Sequence, residues 1–290
     1  QQIGADRRGG ADAKEQQDGC HQRTATDTGH ADDEANREAW NLRTDIHLKS
    51  EFYGVENWKK SGNSLTPIEL REMGDVSGKK LLHLQCHFGQ DTISLARMGA
   101  TVTGVDFSDK AIDLARQLAA KTGKDVRFIC SDVYSLPDHH AEKYDMIFTT
   151  YGVLGWLPDM DRWAAVVSNL LKPGGELVLV EFHPVIWMFD DRFSKVIYSY
   201  FDQGPIQETE KGSYADREAA VEITTVGWNH SLSEVLGGLL HHHMEIVAFE
   251  EYDYSPYNCL HDMTEDAPGQ FRVREMGSKL PHVYAVKARK

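Results

Sequence analysis

The stretch from Lys80 to Glu181 constrains the fold more than any other part of the chain, because short apolar runs alternate there with segments of helical periodicity. Such runs have the length of buried strands, and an apolar residue at every third or fourth position indicates a helix with one buried face. This order is typical of a parallel sheet covered by helices. Strands are predicted at 81–85, 101–106, 126–130, 144–150 and 176–182, and helices at 90–98, 109–121 and 159–171.

Capping and turn residues support these boundaries. Ser108 directly precedes the predicted helix at 109–121, where a hydroxyl oxygen can accept a hydrogen bond from a free helix amide. Gly123 follows the same helix, as a C-terminal breaker does. The turn Lys172–Gly175 separates the last predicted helix from the fifth strand.

Residues 1–38 differ in composition from the rest of the chain. They hold no aromatic residue and one branched aliphatic residue, Ile3, so they cannot offset the entropy of becoming ordered. We expect either a disordered tail or a segment foreign to the native protein. Residues 39–290 are expected to form a single domain.

Two aromatic-rich segments flank the predicted sheet core at 79–183. Residues 39–78 carry aromatic and aliphatic side chains at roughly helical spacing, which predicts a lid of short helices. Residues 184–228 are too long for a simple connection and too apolar for disorder, which indicates an insertion. Residues 229–290 are expected to add a helix and the last strands.

Charge and hydropathy restrict the partners. The chain has 31 Lys and Arg against 45 Asp and Glu, a net charge of −14, and this disfavours binding to a phosphate backbone. No apolar stretch approaches the roughly 20 residues of a membrane span. We expect a cytoplasmic protein with a small-molecule partner and no nucleic acid or membrane. Its two aromatic-rich segments, 39–78 and 184–228, either cover a binding site or form a homodimer surface.

Polar residues follow the predicted strands at the edge where ligands bind in open parallel sheets. Gly89 lies in the loop after the first strand, Asp106 ends the second, Asp132 follows the third, and Thr150 ends the fourth. A carboxylate at Asp106 can accept hydrogen bonds from both hydroxyls of a ribose. Alone, it could equally cap the following helix.

Taken together, the loop Gln85–Asp91, Asp106, Asp132 and the turn Leu171–Gly175 resemble the class I S-adenosylmethionine-dependent methyltransferases. The resemblance extends from about Trp40 to the C-terminus. It implies an α/β, Rossmann-like, seven-stranded, mostly parallel sheet with helices on both faces, an N-terminal helical lid and an insertion after strand five. It also implies methyl transfer from S-adenosyl-L-methionine to a small-molecule acceptor.

The same resemblance implies a set of cofactor-binding residues. In that family the first loop wraps the amino-acid moiety, here near Gly89, while Asp106 would bind the ribose and Asp132 the adenine amino group. The full expected set is Gln85, His87, Gly89, Asp106, Phe107, Ser108, Asp132, Val133 and Thr150.

The first loop departs from the usual family pattern. His83 stands where an acid is usual, and Gln85 and His87 stand where two glycines are usual. Glycines there permit positive φ and close approach to a ligand. This form resembles a branch of small-molecule methyltransferases, and we hypothesise that Gln85 and His87 line the cofactor end of the crevice. The alternative is a cofactor-binding protein without transferase activity.

Another alternative, a nicotinamide-dependent oxidoreductase, would share the acid at the end of the second strand. That class requires a three-glycine loop, which this chain lacks, and it leaves Asp132 without a role.

Candidate catalytic residues follow from the strand ends. His183, at the end of strand five, could be a general base, or it could orient the insertion. Tyr151 and Trp156 could form pocket walls or ordinary core, and His230 is a weaker second base. His241–His243 end a helix, where adjacent side chains diverge, so no metal site is predicted.

Overall fold

The structure is a computed structural model that describes residues 30–290. The helices in this part of the chain are α1 (His30–Lys49), α2 (Val55–Ser61), α3 (Pro67–Met73), α4 (Gln90–Arg97), α5 (Asp109–Thr122), α6 (Leu136–His139), α7 (Met160–Leu170) and α8 (Leu232–His241). The strands are β1 (Lys80–Leu84), β2 (Thr101–Asp106), β3 (Arg127–Cys130), β4 (Tyr144–Thr150), β5 (Leu171–Phe182), β6 (Ile206–Lys211), β7 (Glu222–Gly227), β8 (Glu245–Tyr252), β9 (Met263–Ala267), β10 (Gln270–Val273) and β11 (Val283–Arg289).

Seven strands form the central sheet, in the order β3-β2-β1-β4-β5-β11-β8. Strands β1 to β5 pair in parallel, and β11 runs antiparallel to both β5 and β8. The predicted seven-stranded, mostly parallel sheet is therefore confirmed. The order reverses at β1, and the carboxyl ends of the strands around such a reversal are the usual ligand position of these sheets.

Helices cover both faces of this sheet, as predicted. Alternate side chains of β5 point to opposite faces. Leu177 and Leu179 join a buried cluster with Trp163 of α7, whereas Val178 and Val180 join one that includes Ile68 of α3. All of these side chains are almost fully buried. Their two-sided burial explains why the strand sequence is a nearly continuous apolar run.

The register of the parallel strands brings the site residues to one edge. Leu84 lies opposite Val105, and Asp106 lies opposite Cys130. The loops after β1, β2 and β3 therefore leave the sheet side by side. This alignment is what converts residues spread over the sequence into one crevice.

The tail prediction is wrong for its last residues. Residues 1–29 lie outside the described residues, but α1 begins at His30 and includes residues 30–38. Asn36 is buried, and its amide pairs with the backbone of β7: Nδ2 donates to the Val226 carbonyl at 2.7 Å, and Oδ1 accepts from the Val226 amide at 2.8 Å. These hydrogen bonds to a distant strand hold residues 30–38 in place, although the composition of this segment does not indicate an ordered structure.

Two hairpins were not predicted. Strands β6 and β7 form an antiparallel pair within the insertion, and β9 and β10 form another near the C-terminus. The solvent-facing pattern of β6, with five exposed residues in a row, lacks the apolar alternation that marks a strand.

In the described part of the chain, none of the helices has the length and apolar character that crossing a bilayer requires.

Ser108 caps α5 as predicted, and it is fully buried. Its Oγ accepts from the Ala111 amide at 3.0 Å and donates to Oδ1 of Asn41 in α1 at 2.6 Å. We expect Ser108→Ala to lower the free energy of unfolding by about 1–2 kcal/mol, because a helix amide and the Asn41 oxygen both lose a partner. Urea unfolding measures this. Ser77→Ala, at an exposed turn serine, should change it by less than about 0.5 kcal/mol.

Candidate active site

Two adjoining cavities lie at the carboxyl edge of the sheet. The smaller, about 30 Å³, is a crevice at the ends of β1 to β3, and the larger, about 1100 Å³, lies beside it. Gln85 and Trp156 line both. The crevice is lined by Asp33, Asn36, Gln85, Val105, Asp106, Phe107, Ser131, Asp132, Val133, Trp156 and Leu157.

The structure brings five of the predicted cofactor-binding residues together in this crevice: Gln85, Asp106, Phe107, Asp132 and Val133. Three others, His87, Gly89 and Thr150, line the large cavity. Ser108 lines neither of the two cavities and serves as the helix cap described above.

The first loop keeps the backbone conformation of a glycine loop although two of its three glycine positions carry side chains. The φ angles are 55° at Gln85, 49° at His87 and 73° at Gly89. Positive φ is uncommon for residues other than glycine and costs energy, which native structures accept mainly at functional sites. The side chains of Gln85 and His87 therefore project from a loop whose backbone has the positive φ angles that glycines would adopt.

At Gly89 a side chain is excluded by space as well as by φ. A Cβ there would lie 2.6 Å from the ring of Phe128. Gly89 is also the N-cap of α4, so the turn from the loop into this helix requires a residue without Cβ.

Asp106 joins the loops after β1 and β2 through its two carboxylate oxygens. One carboxylate oxygen accepts from the His87 amide at 2.7 Å and the other from the Ser108 amide at 2.9 Å. Only 7% of its surface is exposed. Burial raises the pKa of Asp106 to about 6, and the amide hydrogen bonds oppose this shift. Each oxygen keeps a second acceptor position.

Asp132 is fixed in a similar way at the end of β3. Its Oδ1 accepts from the amides of Tyr134 at 2.9 Å and Ser135 at 3.0 Å, and its Oδ2 accepts from the Ser135 hydroxyl. The two acidic side chains thus line one crevice in fixed rotamers.

His87 begins a hydrogen-bonded chain that joins three elements. Its Nε2 lies 3.0 Å from Nδ1 of His47 in α1, and His47 Nε2 lies 2.7 Å from Oγ of Ser213 in the insertion. Burial, followed by the nearby His47 and Arg43, lowers the pKa of His87 well below its ordinary value. His87 is therefore neutral at pH 7, and its Nδ1 has no hydrogen-bond partner within the described residues.

Glu181 is the site residue that the sequence interpretation missed. Its side chain is buried and accepts hydrogen bonds from four amides: Gly152, Val153 at 2.8 Å, Leu154 at 3.0 Å and Phe182 at 2.6 Å. Burial raises the pKa of Glu181, and the four amides oppose the shift. This carboxylate fixes the loop after β4, which carries Tyr151 and Trp156.

Tyr151 lines the large cavity with φ of 39°. Its hydroxyl lies 3.2 Å from Oγ1 of Thr66, and its ring meets that of Tyr257 edge-on at 5.2 Å between centroids. Burial, with the nearby Glu69 charge, raises the pKa of Tyr151 well above its ordinary value. The phenol can donate a hydrogen bond but does not ionise near neutral pH.

His183 does not take the position predicted for a general base. It is buried, it lines neither of the two cavities, and its Nε2 lies 2.9 Å from Oε1 of Glu251 in β8. Its ring packs against Tyr284 at 5.9 Å between centroids. The geometry corrects the prediction: His183 joins the end of β5 to the neighbouring strands.

Comparisons with known proteins agree with this architecture. A family model described as "Methyltransferase domain" matches residues 81–175. Ubiquinone biosynthesis O-methyltransferase of Salmonella arizonae is 32% identical over 134 residues, covering 45% of this chain and 55% of that protein. The enzyme of the same name from Shewanella pealeana is 32% identical over 131 residues, covering 44% of this chain and 52% of that protein. The chain thus spans about half the length of these curated relatives.

Solved structures share the fold. An S-adenosylmethionine-dependent methyltransferase from Mesorhizobium loti aligns with a TM-score of 0.53 at 19% identity, covering 77% of this chain and 96% of that one. One from Clostridium acetobutylicum aligns with a TM-score of 0.53 at 14% identity, covering 88% and 98%.

Residues 81–175 thus match a methyltransferase domain, and the described part of the chain has a fold that solved S-adenosylmethionine-dependent methyltransferases share. This match agrees with the resemblance of the sequence motifs to the class I S-adenosylmethionine-dependent methyltransferases, a class whose cofactor is S-adenosylmethionine.

Proposed function

We propose that the chain transfers the methyl group of S-adenosylmethionine to a small-molecule acceptor by in-line displacement and releases S-adenosylhomocysteine. The observation that carries this proposal is the junction of the two cavities. Gln85 and Trp156 line both the acidic crevice and the large cavity, so a group held at this junction faces both. A cofactor in one and an acceptor in the other would meet there.

The polar groups of the crevice fit the cofactor. Asp106 would accept from the ribose hydroxyls, Asp132 from the adenine amino group, and Phe107 and Val133 would flank the ring. Gln85 Oε1 is buried without a hydrogen-bond partner in the described part of the chain, as is Nδ1 of His87. Buried polar atoms are normally paired, so these two are available to the amino-acid end of the cofactor.

A cation lies beside the same end. Arg43 of α1 is buried, lines the large cavity, and has its guanidinium 5.2 Å from the centre of the Trp40 ring and 5.4 Å from that of Trp156. Its Nη2 lies 3.6 Å from Oε2 of Glu210, whereas its Nε has no hydrogen-bond partner among the described residues. We assign Arg43 to the carboxylate of the cofactor, since a buried guanidinium gains most from a planar anion.

The bound cofactor would supply an already activated methyl group. The chain then has to align the acceptor and exclude water. The large cavity suits this role because aromatic side chains from both flanking segments line it, among them Trp40, Tyr53, Tyr214 and Trp228. Tyr53 and Tyr214 meet across the cavity, with their hydroxyls 2.5 Å apart. We therefore propose that residues 39–78 and 184–228 form the two covers, and that Tyr151 donates a hydrogen bond to the acceptor.

Cofactor entry requires the cover to open. Ligand pockets typically have roughly 300–1,000 Å³, far more than the crevice offers. Asp33 and Asn36 of α1 line one side of the crevice and Trp156 another. We propose that α1 moves outward to admit the cofactor.

Transfer is tested by incubating the purified chain with methyl-labelled S-adenosylmethionine and separate pools of phenols, amines, thiols and carboxylic acids. We expect label in an organic product of at least one pool, and at subsaturating cofactor much less label with Asp106→Ala at the same protein concentration. Tight cofactor binding without label in any pool would instead support a binding protein that lacks transferase activity.

Cofactor affinity should depend on pH. Because burial raises the pKa of Asp106 to about 6, the group is protonated in much of the free protein below that pH. A protonated carboxyl has lost acceptor capacity, so we expect affinity to rise from about pH 5 to about pH 7.5, with its midpoint near the pKa. Calorimetry across this range checks it, and Asp106→Asn should flatten the profile.

Two further predictions concern the setting of the chain. We propose a cytoplasmic location, which cell fractionation tests.

We also propose a homodimer, because the insertion exposes the apolar side chains of Trp187, Val196, Ile197 and Phe201. Light scattering after size exclusion should give a dimer mass, and a monomer at all concentrations would refute it.

A further inference from the structure

Three possible metal ligands meet where the insertion packs against the start of α8. Asp202 comes from the insertion, His230 precedes α8, and Glu234 lies in its first turn. One ligand atom from each lies within 4.8 Å of the other two. This group could not be predicted from the sequence, because Asp202 is far from the other two residues along the chain.

His230 is oriented as metal-bound histidines are. Its Nε2 lies 2.7 Å from the carbonyl oxygen of Leu157, so the ring proton is on Nε2 and the Nδ1 lone pair is free. The residue is 7% exposed, and its Nδ1 has no hydrogen-bond partner within residues 30–290. This Nδ1 faces Oε1 of Glu234 at 3.7 Å, which is too long for a hydrogen bond.

Backbone groups hold both carboxylates in place. Glu234 Oε2 accepts from the Ser231 amide at 2.9 Å, and Asp202 Oδ1 accepts from the Gly204 amide at 2.7 Å. Each carboxylate thus has one oxygen anchored. The second oxygen of Glu234 faces the imidazole. Two carboxylates and a lone pair brought together without a cation repel one another, so a cation would convert repulsion into bonding.

We propose that Asp202, His230 and Glu234 bind a first-row divalent cation. Zn²⁺ fits this set of ligand atoms best. One imidazole nitrogen and two carboxylate oxygens form a donor set that Zn²⁺ accepts in tetrahedral geometry. The fourth position would hold water or a group from the large cavity, because His230 lines that cavity.

The cation would fasten the insertion to the sheet domain. Two hydrogen bonds already join them there: Asn229 Nδ2 donates to the Ser199 carbonyl at 2.8 Å, and the Leu232 amide donates to the Tyr200 hydroxyl at 3.1 Å. A metal bridge at Asp202 would add a stronger link and fix one wall of the large cavity. This site is independent of the proposed transferase activity.

The probe is Zn²⁺, added to the chelator-treated 290-residue chain in competition with a chromophoric chelator. We expect one tight equivalent in the wild type, and an affinity lower by at least about tenfold in Asp202→Asn and His230→Ala. His241→Ala is the matched control and should leave that equivalent unchanged, because this exposed histidine of α8 lies at the other end of the helix, beside Asp161 of α7.

Asp202→Asn keeps the size of a half-buried side chain, so it should fold even if His230→Ala does not. Hydrogen exchange gives a second readout: Zn²⁺ should slow exchange of the amides of residues 199–204 in the wild type and leave them unchanged in Asp202→Asn. The proposal is overturned if the wild type binds no tight equivalent, or if Asp202→Asn binds Zn²⁺ as tightly as the wild type.

Discussion

Asp106→Ala is expected to weaken S-adenosylmethionine binding by more than about tenfold, which is about 1.4 kcal/mol or more. The carboxylate lines the crevice and has spare acceptor positions for two ribose hydroxyls. It also accepts from the His87 and Ser108 amides, so its removal frees the cofactor loop as well. Both losses act in the same direction. Isothermal titration calorimetry with the cofactor and with S-adenosylhomocysteine measures the effect.

Two variants make the result specific. Asp106→Asn keeps one acceptor oxygen and the side-chain volume, so its loss of affinity should be smaller than that of the alanine variant. Asp113→Ala removes an exposed carboxylate on the adjoining helix α5 and should bind as the wild type does. Wild-type affinity in folded Asp106→Ala would refute the assignment of the ribose to this residue.

Glu181→Ala is expected to lower the free energy of unfolding by roughly 3–5 kcal/mol. The variant leaves four amides without their acceptor, those of Gly152, Val153, Leu154 and Phe182, and the last three of these contacts are buried. Water cannot replace the carboxylate fully, because Glu181 is only 3% exposed. The loop after β4 would lose its conformation, and with it the placement of Trp156 between the two cavities.

Urea unfolding at pH 7 measures this change. Glu181→Gln keeps one acceptor oxygen and should destabilise by less than the alanine variant does. Glu176→Ala is the matched control on the same strand, because Glu176 makes an ion pair with Arg289 at the surface, where such pairs contribute about 0–1 kcal/mol. Equal stability of Glu181→Ala and Glu176→Ala would show that the amide contacts do not hold the loop.

The core of the fold could be predicted because its elements are specified locally. Two-sided burial makes β1 to β5 apolar runs, and Ser108 and Gly123 mark both ends of α5 within the sequence. Acidic residues at strand ends then indicated the crevice, since parallel strands end at the same edge. The first loop shows how far a family pattern extends: Gln85 and His87 adopt the positive φ that glycine would supply.

What the sequence did not predict depends on contacts between distant segments. His183 was predicted as the catalytic residue at the end of β5, whereas Glu181 is the residue that contacts the loop after β4, and these contacts join residues 27–29 positions apart in the sequence. The order of α1 depends on Asn36 and Val226, and the proposed metal site depends on Asp202 and His230. Local sequence periodicity does not reveal contacts between residues that are so far apart along the chain.

A crystal structure with S-adenosylhomocysteine tests the central claim most directly. We expect the ribose hydroxyls on the Asp106 carboxylate, the adenine beside Asp132, and the sulfur at the junction lined by Gln85 and Trp156, facing the large cavity. A ligand bound elsewhere, or a crevice still closed by Trp156 and α1 at saturating ligand, would contradict it.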